Sequence, residues 1–250
     1  MNKEHLSETI KIIQNHRSFR KFKQDDIPNE HVNELIKSGQ SAASSSFVQA
    51  YSVIQIKDKA KKEKISVLAG NQKQVSECPL FLLFCADLKR LEYACKKEGI
   101  EMQYDTTETF IVSVVDTALM AQNVLTAAES LGYGGCYIGG IRNNPKQISE
   151  LVNLPDKVFP LFGLTLGIPD EEVEVKPRLP LALILHEETY QEDHYGQLLD
   201  QYDETMKSYY QSRTTNNKNT GWTNTIAKMF SEKRRVHIKG FLESKGFNLK

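Results

Sequence analysis

Cysteine is scarce in this 250-residue chain, with four residues, and tryptophan is scarcer, with one. The cysteines, Cys78, Cys85, Cys95 and Cys136, form no C-x-x-C pair, which removes thioredoxin-type redox motifs and zinc ribbons. They read as free thiols of a reducing compartment, most of them in apolar surroundings. An excess of one charge sign is also lacking: 32 Lys and Arg balance 32 Asp and Glu. The composition therefore gives no sign of a general nucleic-acid or membrane-surface binder. The longest near-apolar run, Pro79 to Ala86, falls far short of the roughly 18 residues of a spanning helix. The first residues alternate charge (Lys3, Glu4, Glu8, Lys11) with apolar positions and hold no signal-peptide core. A cytoplasmic protein without membrane or nucleic-acid partners is expected.

Catalytic signatures are missing as well. There is no G-x-S-x-G elbow, no H-E-x-x-H, no Walker loop, and no G-x-G-x-x-G that follows a strand and opens a helix. The six histidines (5, 16, 31, 186, 194 and 237) lack metal-ligand spacing. A protein-borne nucleophile or metal is thus not signalled.

What is present is an alternation of helical and strand patterns over about 190 residues. Leu6, Ile10 and Ile13 recur at helical spacing. A second helix follows Pro28, with Val32, Leu35 and Ile36 on one face. Tyr51–Ile56, Pro79–Cys85, Gly135–Ile138, Val158–Gly167 and Leu181–His186 read as strands. Asp58 and Asp87 stand where helix caps belong, and Asn144 precedes Pro145 at a further helix start. From Thr106 to Leu131 a long helix is predicted, nearly apolar all round, with only Asp116 and Glu129 charged after Ile111. Such a helix is buried nearly all round, at the centre of the molecule or under a partner subunit. After Tyr190 only helical patterns remain, interrupted by the polar stretch Arg213–Gly221. The expected organisation is a core over 1–190 and a helical extension over 191–250.

Four constellations could carry chemistry. His16-Arg17-Ser18-Phe19-Arg20-Lys21 packs cations and a hydroxyl together, as a phosphate dianion requires, although a solvated basic turn reads the same. Ser44-Ser45-Ser46 offers hydroxyls between a helix and a strand, or is a plain loop. Gly132 to Gly140 holds five glycines in nine residues, which lets backbone approach a ligand, or simply makes tight turns around one strand. Lys176-Pro177-Arg178 sets two cations around a proline with fixed φ, on what is otherwise a surface loop. Cations, hydroxyls and glycine backbone are the groups that hold an anionic cofactor bringing its own chemistry.

With these in order, the sequence resembles the FMN-dependent nitroreductase family. Within it, the chain is most similar to the NADPH-preferring branch of oxygen-insensitive nitroreductases and flavin reductases. The resemblance rests on His16-Arg-Ser-x-Arg20, Ser44-Ser-Ser-Phe47, Gly70-Asn-Gln72-Lys73, Val115-Asp-Thr-Ala118, Gly134-Gly-x-Tyr-Ile-Gly-Gly140 and Lys176-Pro-Arg-Leu-Pro180, all in register over nearly the whole chain.

The resemblance implies an α+β fold, a mixed, mostly antiparallel sheet sandwiched by helices, in an intertwined homodimer with FMN at the interface. It implies that His16, Arg17, Ser18, Lys176 and Arg178 surround the FMN phosphate and ribityl end. Arg20, Gln72 and the backbone of Ile138, Gly139 and Gly140 would line the isoalloxazine, and Ser44 would reach it from the other subunit. Arg213 and Lys218 would grip the 2′-phosphate of NADPH from a loop near 213–220. No side chain need be catalytic, since FMN carries the chemistry. The implied activity passes two electrons from NADPH to nitroaromatics, quinones, free flavin or a disulfide in ping-pong order. The alternative from another class is a flavin-binding storage or sensing protein without turnover.

Overall fold

A computed structural model describes residues 6–213 and 218–247. The chain divides into two compact units, Met1–Val173 with Arg235–Lys250, and Glu174–Arg234.

The first unit is built on a four-stranded antiparallel sheet of β1 (Tyr51–Ile56), β2 (Leu80–Asp87), β3 (Gly134–Ile138) and β4 (Val158–Gly167). Their order is β1-β2-β4-β3. Every residue of β2 is buried, because this strand has neighbours on both edges and helices on both faces. Its side chains alternate between two cores. Leu80, Leu82 and Phe84 join Val32, Leu35, Met120 and Val124 from α2 (Asn29–Gln40) and α6 (Thr107–Ser130). Phe81, Leu83 and Cys85 join Ile65, Val75 and Ile148 from α3 (Lys59–Leu68), α4 (Lys73–Glu77) and α7 (Pro145–Leu151). A third cluster gathers Leu88, Phe159 and Leu161 with Leu242 of α10 (Ile238–Ser244). The remaining helices of this unit are α1 (Glu8–Gln14) and α5 (Lys89–Lys97).

Local chemistry sets the ends of these elements. Asp58 caps α3 by accepting from Lys61 N at 2.7 Å, and Thr106 caps α6 by accepting from Thr109 N at 3.2 Å. Asp87 accepts from Lys89 N at 2.7 Å at the start of α5. Asn144 precedes α7 but makes no side-chain cap. Its amide instead donates to Leu68 O at 2.7 Å, tying α7 to the end of α3. Gly39 lets α2 cross α6 closely, since a Cβ there would lie 2.6 Å from Val124 Cγ2 and 3.2 Å from the Met120 carbonyl.

By length and composition α6 is the one helix among the described residues that could span a membrane. It is a core helix on one side: Ser113, Asp116, Thr117, Met120, Val124 and Leu125 are all buried. On another side Ile111, Val115 and Leu119 remain 44–49% exposed, one helical turn apart.

The second unit holds α8 (Tyr195–Ser212) and α9 (Trp222–Phe230). Asp203 of α8 accepts from Thr223 N at 2.9 Å and from the Thr223 hydroxyl, so one helix satisfies the start of the next. The expected strand Leu181–His186 is not formed. Leu181–Leu183 is a 3₁₀ turn, with Ile184 N donating to Leu181 O at 2.9 Å. Leu181, Ile184 and Leu185 are 62–71% exposed, and among the described residues of this unit no strand is present to pair with them, so the backbone closes on itself.

Candidate functional site

The basic segment lies along the outer edge of β3. Ser18 forms a parallel bridge with Gly135, Phe19 N donates to Gly135 O at 3.0 Å, and Lys23 N donates to Ile168 O at 2.9 Å. That bridge supplies the parallel component of an otherwise antiparallel sheet. The approach depends on Gly134, where a Cβ would stand 2.4 Å from the Phe19 ring. Several groups of the segment have defined partners. His16 Nδ1 meets Glu129 Oε1 at 2.5 Å, at the end of α6. Arg17 donates from Nε to Asn15 O at 3.2 Å and lies over the Phe19 ring. Arg20 and Lys21 both donate their backbone N–H to Glu171 Oε1, at 2.5 and 3.0 Å. Arg20 is exposed, and its charge reaches Cys136 of β3, whose thiol burial nonetheless pushes upward. That thiol therefore stays protonated.

β3 leads directly into the second constellation. Beyond Ile138 the chain turns through a 3₁₀ segment, Gly139–Asn143. Gly140 sits so close to the end of α3 that a Cβ would lie 2.1 Å from the Ala69 carbonyl oxygen. Gln72 follows two residues after Gly70, which has φ +92° as its turn requires. Gln72 is fixed by Ser66, with Gln72 N donating to Ser66 O at 3.0 Å and Ser66 Oγ donating to Gln72 O at 2.8 Å. Its side-chain oxygen accepts from Gln74 Nε2 at 2.6 Å. The basic segment thus meets β3 at Gly135, and the turn after β3 meets the end of α3 just before the Gly70–Gln72 turn.

The serine loop stands apart and is strained. Ser46, Phe47 and Gln49 all have φ between 45° and 59°, a region that non-glycine residues rarely adopt. Asp116, fully buried on α6, holds this loop, with Oδ1 accepting from Ser45 N at 2.9 Å and Oδ2 from Ala50 N at 3.2 Å. Ser44 Oγ is buried without a hydrogen-bond partner, and Phe47 is 80% exposed beside it. A buried hydroxyl left unpaired is costly, and a ligand or second subunit that satisfies it removes that cost.

In the second unit the expected cations line the tyrosines of α8. Lys176 Nζ lies over the Tyr210 ring at 5.6 Å, and the Arg213 guanidinium lies over Tyr209 at 5.8 Å. Tyr202 donates to Pro177 O at 2.9 Å and so fixes the loop between Lys176 and Arg178. Burial pushes the Tyr202 hydroxyl upward, against the charge of nearby Arg178. Lys218 is exposed. The stretch between it and Arg213, residues 214–217, lies outside the described residues.

Asp116, Glu129, Glu171 and Tyr202 are the residues that the sequence does not single out as parts of a site. Asp116 and Glu129 carry a signal, since they are the two charges of an apolar helix. Glu171 carries none, because it sits in the acidic run Asp170-Glu171-Glu172 and nothing in that run tells which carboxylate accepts from the Arg20 and Lys21 backbone. Among the described residues no cluster of three His, Cys, Asp or Glu could hold a metal ion. The site consists of cations, hydroxyls and close-set backbone.

Comparison with known proteins follows the same outline. Residues 13–168 match the nitroreductase family, and residues 176–250 match the family's C-terminal domain. A Cr(VI) reductase of Pseudomonas sp. (strain G-1) is 50% identical over 96% of this chain and 98% of its own length. An FMN reductase (NADPH) of Bacillus subtilis is 42% identical over 97% of this chain and 99% of its own. The solved structure of a nitroreductase from B. subtilis superposes with a TM-score of 0.92, at 42% identity, covering 96% of this chain and 99% of that one.

Proposed function

The chain belongs to the nitroreductase family, and on that footing we propose that it is an FMN-dependent oxidoreductase that uses NADPH to reduce nitroaromatics, quinones, free flavin or a disulfide. The observation that carries this reading is the convergence on β3. A cationic segment runs along one edge strand, and that strand ends in a glycine turn seated on the Gln72 loop.

The residues fit FMN. His16, Arg17 and Ser18 offer the charge and hydroxyl a phosphate takes, and Lys176 and Arg178 of the second unit are cations of the same use. Gly139 and Gly140 leave the backbone open to a flat ring, and Arg20 and Gln72 supply polar contacts to that ring. The unpaired Ser44 hydroxyl is a group in need of a partner. When bound, FMN supplies the two-electron redox chemistry. The chain's own part is to bind and orient. Arg20 would place positive charge beside a bound ring and would so favour negative charge there. Glu171 keeps Arg20 in register through its backbone N–H. Arg213 and Lys218 offer charge to the 2′-phosphate of NADPH. With FMN bound, nucleotide and acceptor would use one site in turn, which is the basis for expecting ping-pong kinetics.

The exposed stripe Ile111, Val115 and Leu119 supports a homodimer, because a repeating apolar row on a long helix is a surface that a second copy can cover. The four cysteines stand as free thiols, as a reducing cytoplasm allows.

One experiment tests the reading. The purified protein is expected to be yellow, to release FMN on denaturation, and to bleach when NADPH is added without air. A preparation that stays yellow in excess NADPH leaves a flavin-binding storage or sensing protein instead. One that stays colourless after FMN is supplied overturns the reading.

A further inference from the structure

A separate cavity of about 720 Å³ opens between the start of α2, the end of β1, the start of α3 and the end of α4. Three lysines line it: Lys57, Lys59 and Lys62. Lys57 and Lys59 are exposed, and Lys57 Nζ donates to Asn29 Oδ1 at 3.3 Å. Lys62 differs, since only 7% of it is exposed. Its ammonium carries three donors and no acceptor. One donor goes to the Cys78 carbonyl at 2.7 Å. Among the described residues no carboxylate pairs with it within 4 Å.

A buried charge is ordinarily paired, because its desolvation is otherwise uncompensated. The adjacent Cys78 thiol does not serve as counter-ion, since burial pushes it up to about 12 and it stays protonated. Asp26 and Glu77 share the cavity wall, but both are exposed, so solvent and salt screen them far more than the ammonium they would have to balance.

We propose that this cavity is a binding site for a small phosphate-bearing anion, with Lys62 as the buried anchor and Lys57 and Lys59 as the outer cations. Ammonium groups bind phosphate as point charges and do not require the planar geometry of a guanidinium. The volume exceeds that of one phosphate and suits a pyrophosphate or a nucleotide. The site is independent of the FMN reading: its residues belong to the segment leading into α2, the start of α2, the end of β1 and the turn after it, α3, the end of α4 and the turn into the start of β2, and none is among those assigned to flavin or nicotinamide.

The test is calorimetric titration of the protein, saturated with FMN, with pyrophosphate and separately with ADP, ionic strength being held constant with chloride. Saturable binding of either at one site per chain is expected. Binding of pyrophosphate alone names an inorganic anion, and binding of ADP alone names a nucleotide. Lys62→Met is expected to weaken the affinity by about ten-fold or more. Lys57→Gln with Lys59→Gln, both at exposed positions, is expected to weaken it several-fold even if the Lys62 variant fails to fold. No saturable binding of either anion, or an affinity that the Lys57/Lys59 double variant leaves unchanged, overturns the proposal.

Discussion

Glu92 shows how a single carboxylate on the surface becomes a pH-dependent clasp. It accepts from Lys157 and from Lys89, the latter at 2.5 Å, and these hydrogen bonds hold its carboxyl down to about 2. Lys157 in turn lies over the Tyr104 ring at 4.0 Å. The folded value lies below the unfolded one, so the contribution to stability is complete above the ordinary carboxylate range. It is lost as pH falls from 4.5 toward about 2. Urea midpoints measured across that window should therefore drop more steeply for the native chain than for Glu92→Gln, and added salt should narrow the difference, because Glu92 is 29% exposed.

Arg213 makes a different kind of prediction. If it binds the NADPH 2′-phosphate, Arg213→Ala removes one charge-assisted contact, worth about 1.5–3 kcal/mol. In kcat/KM for NADPH that is a loss of about ten- to a hundred-fold. The value for NADH should hardly change. Steady-state kinetics with both nucleotides decides it, and equal losses would mean that Arg213 acts only through its stacking on Tyr209.

At the scale of elements, the site depends on how closely segments approach. The end of α3 and the turn after β3 touch backbone to backbone, which Gly140 alone permits. In Gly140→Ala the new Cβ meets a carbonyl oxygen at 2.1 Å, and neither partner is a flexible side-chain end. The turn and the Gln72 loop must part. We expect a loss of about 1–3 kcal/mol in urea unfolding, together with faster release of FMN on dilution. Unfolding unchanged by this substitution would show that the turn relaxes freely. The serine loop obeys similar logic with charge in place of space, since the Asp116 carboxylate fastens both ends of a strained segment to α6.

For the whole molecule the decisive surface is the apolar face of α6. Val115 lies at the middle of the Ile111–Leu119 row. A carboxylate placed there would be buried unpaired in a dimer but solvated in a monomer. Val115→Asp should therefore shift light scattering from a dimer to a species near 28.5 kDa. If the serine loop reaches FMN across that interface, FMN should also be retained less well in this variant. A Val115→Asp protein that stays dimeric and yellow would remove α6 from the interface.

The sequence by itself determined what depends on neighbours along the chain. Tyr51–Ile56 and Val158–Gly167 are legible as strands to their end residues, and the long helix is legible to within one residue at each end. Apolar periodicity and capping side chains act over a few positions, and an unbroken signal survives packing. Six motifs in order also marked the family. Only the tertiary structure decided which segments meet. It set the strand order β1-β2-β4-β3, the seat of the basic segment on β3, and the choice of Glu171 over its acidic neighbours as the clamp. Leu181–His186 shows the limit from the other side. Its apolar run satisfies every local rule for a strand, yet a strand exists only where another strand offers its hydrogen bonds. No spacing along the chain states whether that partner is there.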